Sequence, residues 1–281
     1  MHTDSERRDQ GRGERSPAEG GCPLSRRAFL ARAAATAGSV AAAGRVVAAL
    51  RGEPANAATT AGQTEVPQWA MVIDLGRCDG CKECTTACQK THFTGDQEWI
   101  QVFEVTDEGG GHYFLPRPCM QCENAPCLNV CPVGATFRNE NGTVLINHDI
   151  CIGCRFCMAA CPYGARSFNW GEPENPPGAS LAQYTPEYPI PHRKGTPDKC
   201  MFCAHDAEVG KLPACVSACP MSAIWFGDLV RDIATNGLET VKLSWLLTER
   251  NAYRLKEELG TRPRVWYLPG HGQQSEEVTP V

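Results

Sequence analysis

Seventeen cysteines stand among 281 residues, and sixteen of them fall into four sets of four. The first set is Cys78-x2-Cys81-x2-Cys84-x3-Cys88, and the third repeats its spacing as Cys151-x2-Cys154-x2-Cys157-x3-Cys161. The second loosens one gap, Cys119-x2-Cys122-x4-Cys127-x3-Cys131, and the fourth stretches the same gap, Cys200-x2-Cys203-x11-Cys215-x3-Cys219. Three thiolates set two residues apart can wrap a tight loop around one iron–sulfur cubane, with backbone N–H groups aimed at the sulfurs. A fourth thiolate three residues further on starts to lead away. The remaining cysteine, Cys22, stands apart, ahead of a pair of arginines.

Disulfides, structural zinc and coincidence compete with iron–sulfur binding. Disulfides are the default in an exported protein, but Cys-x2-Cys-x2-Cys crowds its sulfurs too closely for each to find a partner at a sensible Cα separation. Structural zinc uses Cys-x2-Cys doublets, so the fourth set alone would be ambiguous, whereas the first and third are not. Four repeats of one grammar exclude coincidence. In bacterial ferredoxins the fourth cysteine, usually followed by proline as at Pro132, Pro162 and Pro220 here, ligates the other cluster of a pair, so the spacing predicts two interlocked pairs.

The elements that must position these loops are short. Ala135–Arg138, Asn141-Gly142 and Thr143–Asn147 read as a hairpin between the second and third sets. Further strands are expected at Met71–Asp74, Ala165–Phe168 and Ile224–Phe226, with a brief helix after each fourth cysteine. If the second and third sets form one ferredoxin unit, the first and fourth pair around it by elimination. The fold class expected is therefore α+β: two interlocked bacterial-ferredoxin-like modules of two 4Fe-4S clusters each, with loop insertions and a helical C-terminal extension. The insertions are Trp99–Leu115, with Gly109-Gly110-Gly111 as a turn, and the proline-rich Glu172–Pro197, read as a surface that meets a partner subunit. No helix pattern follows the triple glycine, so it carries no phosphate site. Helical character returns from Asp228 to Leu259, clearest over Ser244–Leu259, before an irregular tail.

The first residues read as a separate segment. Met1–Glu19 is polar, Ser25-Arg26-Arg27-Ala28-Phe29-Leu30 follows, and an alanine-rich stretch leads to Ala55-Asn56-Ala57. This is a secretory signal of the twin-arginine type, with cleavage expected after Ala57 and Cys22 leaving with it. Arg32 and Arg45 interrupt the apolar run, which argues against a membrane anchor, since a spanning helix needs about 20 predominantly apolar residues. The best later stretch, Val241–Leu247, is short and contains Lys242 and Ser244. A net charge of −5 with scattered Lys and Arg gives no field for nucleic acid. Abundant Gly (27) and Pro (21) indicate a loop-rich chain with a small apolar core, which bound metal would help to hold.

The Val72-Ile73-Asp74 strand before Cys78, the loop Pro118-Cys119-Met120-Gln121-Cys122-Glu123-Asn124-Ala125-Pro126-Cys127, Cys161-Pro162-Tyr163-Gly164 and Lys199-Cys200-Met201-Phe202-Cys203 resemble the four-cluster iron–sulfur subunits of molybdopterin oxidoreductase complexes. Dimethyl sulfoxide, polysulfide and tetrathionate reductases, and similar complexes associated with sulfite reduction, have such a subunit. The resemblance covers nearly all of residues 69 to 268. It implies four 4Fe-4S clusters: one on Cys78, Cys81, Cys84 and Cys219; a second on Cys119, Cys122, Cys127 and Cys161; a third on Cys151, Cys154, Cys157 and Cys131; a fourth on Cys200, Cys203, Cys215 and Cys88. It further implies a wire between a large molybdopterin-type catalytic subunit and an integral membrane subunit that handles quinone. The chain would then be periplasmic, at the outer face of the cytoplasmic membrane through those partners, and would have no substrate site of its own. The divisions expected are a signal over 1–57, a four-cluster domain over 69–227 and a partly helical extension over 228–281. One departure is Gln89, where proline follows the other three fourth cysteines.

No nucleophile or acid/base pair stands out. His92, His112, His148, His192, His205 and His271 are scattered along the sequence and read as surface or structural residues. Arg77, Lys82 and Arg155 lie in or beside cysteine loops, where each is either a tuner of potential or a solvated cation. Two other functions are a stand-alone periplasmic polyferredoxin shuttle and a non-redox, metal-stabilised binding module.

Overall fold

The computed structural model describes residues 65–106, 110–181 and 183–271. The twin-arginine segment, Cys22 and Gly109 lie outside these residues. Among the described residues no helix is long and apolar enough to cross a membrane.

The central sheet forms around β1 (Trp69–Asp74), which is buried on both faces. On one side β1 pairs antiparallel with β8 (Ile224–Asp228), with Met71 opposite Phe226; on the other it pairs parallel with β11 (Val265–Leu268), with Met71 opposite Val265. β9 (Ile233–Thr235) and β10 (Thr240–Val241) continue from β8, giving the order β10-β9-β8-β1-β11. Side chains alternate between the faces of a strand. Met71, Ile73, Ile224, Phe226, Val265 and Tyr267 therefore face the cysteine loops, while Ala70, Val72, Trp225 and Trp266 pack with Leu243 and Leu246 of α6 (Leu243–Thr248).

Three two-stranded antiparallel sheets accompany the central one. β2 (Gln101–Thr106) pairs with β3 (His112–Arg117). β4 (Thr136–Arg138) pairs with β5 (Val144–Ile146) around Asn141-Gly142, as the Asn-Gly signal predicts, and β6 (Ser167–Phe168) pairs with β7 (Pro197–Asp198).

The helices are not where the sequence pattern puts them. In the second, third and fourth sets a short helix lies before the fourth cysteine and carries the third: α2 (Pro126–Asn129) holds Cys127, α3 (Phe156–Ala159) holds Cys157, and α5 (Ala214–Ser217) holds Cys215, while α4 (Ala204–Glu208) follows Cys203. The third and fourth cysteines are four residues apart, so one helical turn spans them, and the proline after the fourth prevents continuation. At Gln89 that stop is missing. α1 (Glu83–His92) accordingly spans ten residues and runs on past Cys88, ending at Phe93 in the left-handed region. α1 packs against α5, and α2 against α3, so the first set meets the fourth and the second meets the third.

The C-terminal region also departs from expectation. The helix expected over Ser244–Leu259 is confined to α6 and a 3-10 turn at Glu257–Leu259, because Asn251 and Lys256 take left-handed conformations between them. The tail read as irregular supplies β11. That strand is anchored at Tyr267, whose buried hydroxyl donates to the carbonyl of Pro116 in β3 at 2.9 Å. Tyr267→Phe removes this hydrogen bond from a buried carbonyl and should destabilise the fold by about 1–3 kcal/mol. The check is the denaturant midpoint of the iron-loaded chain against the unsubstituted one; an unchanged midpoint would refute it.

Candidate iron–sulfur site

The cysteine loops are shaped by backbone that only certain residues tolerate. Gly80 and Gly153 occupy equivalent positions in the first and third sets, both with positive φ. A Cβ at Gly80 would lie 2.5 Å from the Phe114 ring, and one at Gly153 would collide with the carbonyl oxygen of Gly195. The residue after each second cysteine, Lys82 or Arg155, is left-handed and opens the next helix. These turns direct N–H groups inward: Gly80 to Cys78, Glu83 to Cys81, Gly153 to Cys151, and Tyr163 and Ala165 to Cys161. Ala223 N–H donates to Cys219 Sγ at 3.3 Å.

All sixteen cysteines of the four sets are free thiols. Their mutual electrostatics show which lie together. Cys78 and Cys84 both feel Cys219, and Cys81 does too, although Cys219 belongs to the fourth set in sequence. Cys88, from the first set, feels Cys200 and Cys203, and Cys215 feels all three. Cys122 and Cys161 each feel Cys119 and Cys127, while Cys151 feels Cys131 and Cys154, and Cys157 feels Cys151 and Cys131. Links also run between groups: Cys84 to Cys88 and Cys215, Cys119 to Cys200, and Cys127 to Cys157.

Burial dominates the thiol chemistry. It pushes Cys84, Cys122 and Cys203 up to about 12 and Cys200 to about 11, with neighbouring cysteines adding to the shift. Cys88 and Cys215, deeper still, are raised well above the ordinary value for the same reason. Cys131 runs the other way: burial raises it, but N–H groups of Thr136, Val133, Ala135 and Gly134 outweigh that and lower it.

This donor set fits a polynuclear iron–sulfur group. Thiolates that burial disfavours need a cation among them, and iron supplies one. Cys88, Cys200, Cys203 and Cys215 line one cavity, and Cys131, Cys151, Cys154 and Cys157 line another. Among the described residues no three His, Cys, Asp or Glu side chains converge on a single ion. A cubane, by contrast, takes one thiolate at each of four separate iron corners.

Several residues around the thiols have no local signature in the sequence. Gln121 Nε2 donates to the carbonyl of Cys200 at 2.7 Å while its Oε1 accepts from Val144 N–H at 2.7 Å, joining the second set, the fourth set and β5. Lys199 Nζ donates to the carbonyls of Val144 and Cys200. His92, delivered by the extended α1, lies with Nε2 3.2 Å from Cys203 Sγ. Burial, followed by the charges of His205 and His192, pulls its imidazole down to about 3. The histidines scattered in sequence are gathered in space. Asp198 lies 3.2 Å from His148 Nε2 and 3.1 Å from His192 Nδ1, and accepts from Asn169 Nδ2 at 2.6 Å. Burial raises the Asp198 carboxyl, but the hydrogen bonds and charges of His148 and His192 outweigh it and hold the group far below the usual range. His192 Nε2 donates to the carbonyl of His92 at 2.6 Å, tying the proline-rich segment to the end of α1. Of the cations singled out from sequence, Arg77 pairs with Asp74 and Glu239, Arg155 stacks over Trp170 with its guanidinium carbon 4.7 Å from the ring centre, and Lys82 is exposed.

The loops, free thiols and short helices define a ferredoxin-type electron-transfer protein. The 4Fe-4S dicluster domain family matches residues 111–175 in one version and 77–135 with 150–223 in another. The chain belongs to the iron–sulfur electron-transfer subunits of reductase complexes, components that carry electrons rather than transform substrate. It is 42% identical over 218 residues to a selenate reductase subunit of Mesobacillus selenatarsenatis, covering 72% of each protein. It is 37% identical to the iron-sulfur cluster-binding subunit of a menaquinone reductase from Nitratidesulfovibrio vulgaris (72% of this protein, 88% of that one) and 36% identical to the iron-sulfur subunit of an arsenate respiratory reductase from a Shewanella species (72% and 96%).

Gly153→Ala tests the loop geometry. An L-residue in the left-handed region costs roughly 1–2 kcal/mol, and the collision with Gly195 adds to it. The expected outcome is selective loss of iron from the third loop, read as iron per chain with the remaining visible absorbance kept; full iron retention would contradict it.

Proposed function

We propose that the chain holds four 4Fe-4S clusters and relays electrons between a large molybdopterin-type catalytic subunit and an integral membrane subunit that handles quinone. The ligand sets proposed are Cys78, Cys81, Cys84 and Cys219; Cys119, Cys122, Cys127 and Cys161; Cys151, Cys154, Cys157 and Cys131; and Cys200, Cys203, Cys215 and Cys88. The observation that carries this reading is the exchange of fourth cysteines: the thiol beside Cys78, Cys81 and Cys84 is Cys219, while Cys88 lies with the fourth set. The packing of α1 on α5 and of α2 on α3 supports two interlocked modules, first with fourth and second with third. The links Cys84 to Cys215, Cys200 to Cys119 and Cys127 to Cys157 support a relay in the order first, fourth, second, third group.

What the bound groups supply is reversible electron uptake without substrate chemistry. The chain's part is to exclude water around the thiols, to direct N–H donors at the sulfurs, and to hold neighbouring groups at fixed separation through Gln121 and Lys199. Domain limits of 1–57, 69–227 and 228–281, and export by the twin-arginine route to the outer face of the membrane, belong to the same reading. The relatives' names as subunits of selenate, menaquinone and arsenate respiratory reductases support partners of this kind.

Two experiments test it. In the complex purified anaerobically, Cys219→Ser and Cys84→Ser should remove or alter the same paramagnetic signal, and Cys215→Ser a different one; a shared signal for Cys219 and Cys215 would sink the crossed assignment. Separately, replacing Arg26 and Arg27 together by lysine should leave the chain on the cytoplasmic side of the membrane in cell fractionation. Unchanged export would remove the twin-arginine route.

A further inference from the structure

Arg166 follows the third cysteine set immediately before β6, where its place in the sequence suggests only a strand residue. The structure buries it, leaving 6% of the residue exposed. Nη1 donates to Thr136 Oγ1 at 3.3 Å, and the guanidinium lies near the Cys127 thiol. Nη2 is buried without a partner, and among the described residues no carboxylate pairs with the guanidinium. Around it stand thiols of two groups: Cys119 and Cys127 of the second, and Cys157 and Cys151 of the third.

Arginine stays protonated in proteins, so this is a fixed positive charge in a dry environment. An isolated buried cation is unfavourable, and removal of a carboxylate partner from such a group is among the costlier changes a core can suffer. The anion that satisfies Arg166 must come from the thiols themselves. A cubane on four thiolates is a net anion and becomes more negative on reduction, so a nearby cation stabilises the reduced form more than the oxidised one. Low dielectric strengthens the effect, and burial of the charge weakens its screening by salt. Arg77, Lys82 and Arg155 lack this combination, being paired, exposed or stacked over an indole at the surface.

We propose that Arg166 is the shared counter-cation of the second and third thiol groups and sets the reduction potentials of both together. The inference rests on the ligand assignment proposed above. Because one charge serves two neighbouring groups, it raises both potentials in step and keeps the transfer between them level. Arg166 acts here as a positioning and tuning residue through its charge and its N–H groups.

The test uses Arg166→Gln and Arg166→Lys in the anaerobically purified complex, with iron counted per chain and each paramagnetic signal titrated against potential. Arg166→Gln should lower the midpoints of the two signals that Cys122→Ser and Cys151→Ser remove, leaving those that depend on Cys84 and Cys215 in place. Arg166→Lys, which keeps the charge, should restore most of the shift. A further readout needs no neutral variant: in the unsubstituted complex carrying arginine labelled at its guanidinium nitrogens, pulsed paramagnetic resonance should show nitrogen coupling on those two signals, lost in Arg166→Lys. Four signals with unmoved midpoints, an equal shift of all four, or no guanidinium coupling would overturn the role of Arg166 alone. Fewer than four signals in the unsubstituted complex would overturn the ligand assignment, and this proposal with it.

Discussion

A thiol binds iron as a thiolate, and this protein places most of its thiols where a thiolate is unfavourable. Burial raises Cys84, Cys122 and Cys203 to about 12, and Cys88 and Cys215 well above the ordinary value. Backbone N–H groups relieve part of that penalty, and at Cys131 they reverse it. Elsewhere the balance needs positive charge at the sulfurs themselves, so metal binding and folding are one process. The tight left-handed turns at Gly80 and Gly153, the one-turn helices between third and fourth cysteines, and the prolines that stop them follow from this demand.

The sheet answers a different part of the same problem. A chain rich in loops has little regular structure on which to hang its cysteine turns, and β1 supplies a rigid plane buried on both faces. One face receives the thiol-bearing loops, and the other is closed by α6 and the pair Trp225 and Trp266. The long α1 is the exception that shows the rule. Where Gln89 replaces proline the helix continues, and its last residue, His92, arrives beside Cys203 of another set. A difference of one residue in sequence thus changes which side chain reaches a sulfur.

What could be read from the sequence was local. The cysteine spacing, the Asn141-Gly142 turn and the strands at Met71 and Ile224 each depend on a few neighbouring residues, and each is present in the fold. Features that depend on distant pairing were not legible. Val265–Leu268 is too short to stand out as a strand and is defined by β1, far away in sequence. The helical pattern over Ser244–Leu259 fails because Asn251 and Lys256 turn left-handed, and between them the backbone of Tyr253 pairs with that of Tyr267. His148, His192 and Asp198 look unrelated in sequence and share one buried site. Arg166 carries no motif at all; its meaning comes only from the two sets of thiols that close around it.

The register of β1 has a consequence for how the protein is made. Its antiparallel neighbour, β8, and its parallel neighbour, β11, both lie in the last quarter of the polypeptide. Contacts of such sequence separation form slowly, because a long loop must close before any pairing rewards it. During synthesis the earliest described strand therefore waits without either partner until β8, far downstream in sequence, has left the ribosome. Its row of apolar side chains, Met71, Val72 and Ile73, is exposed over that interval, the period when an unpaired strand is most open to pairing with another polypeptide. A cell that makes this protein has reason to shield β1 until β11 is delivered.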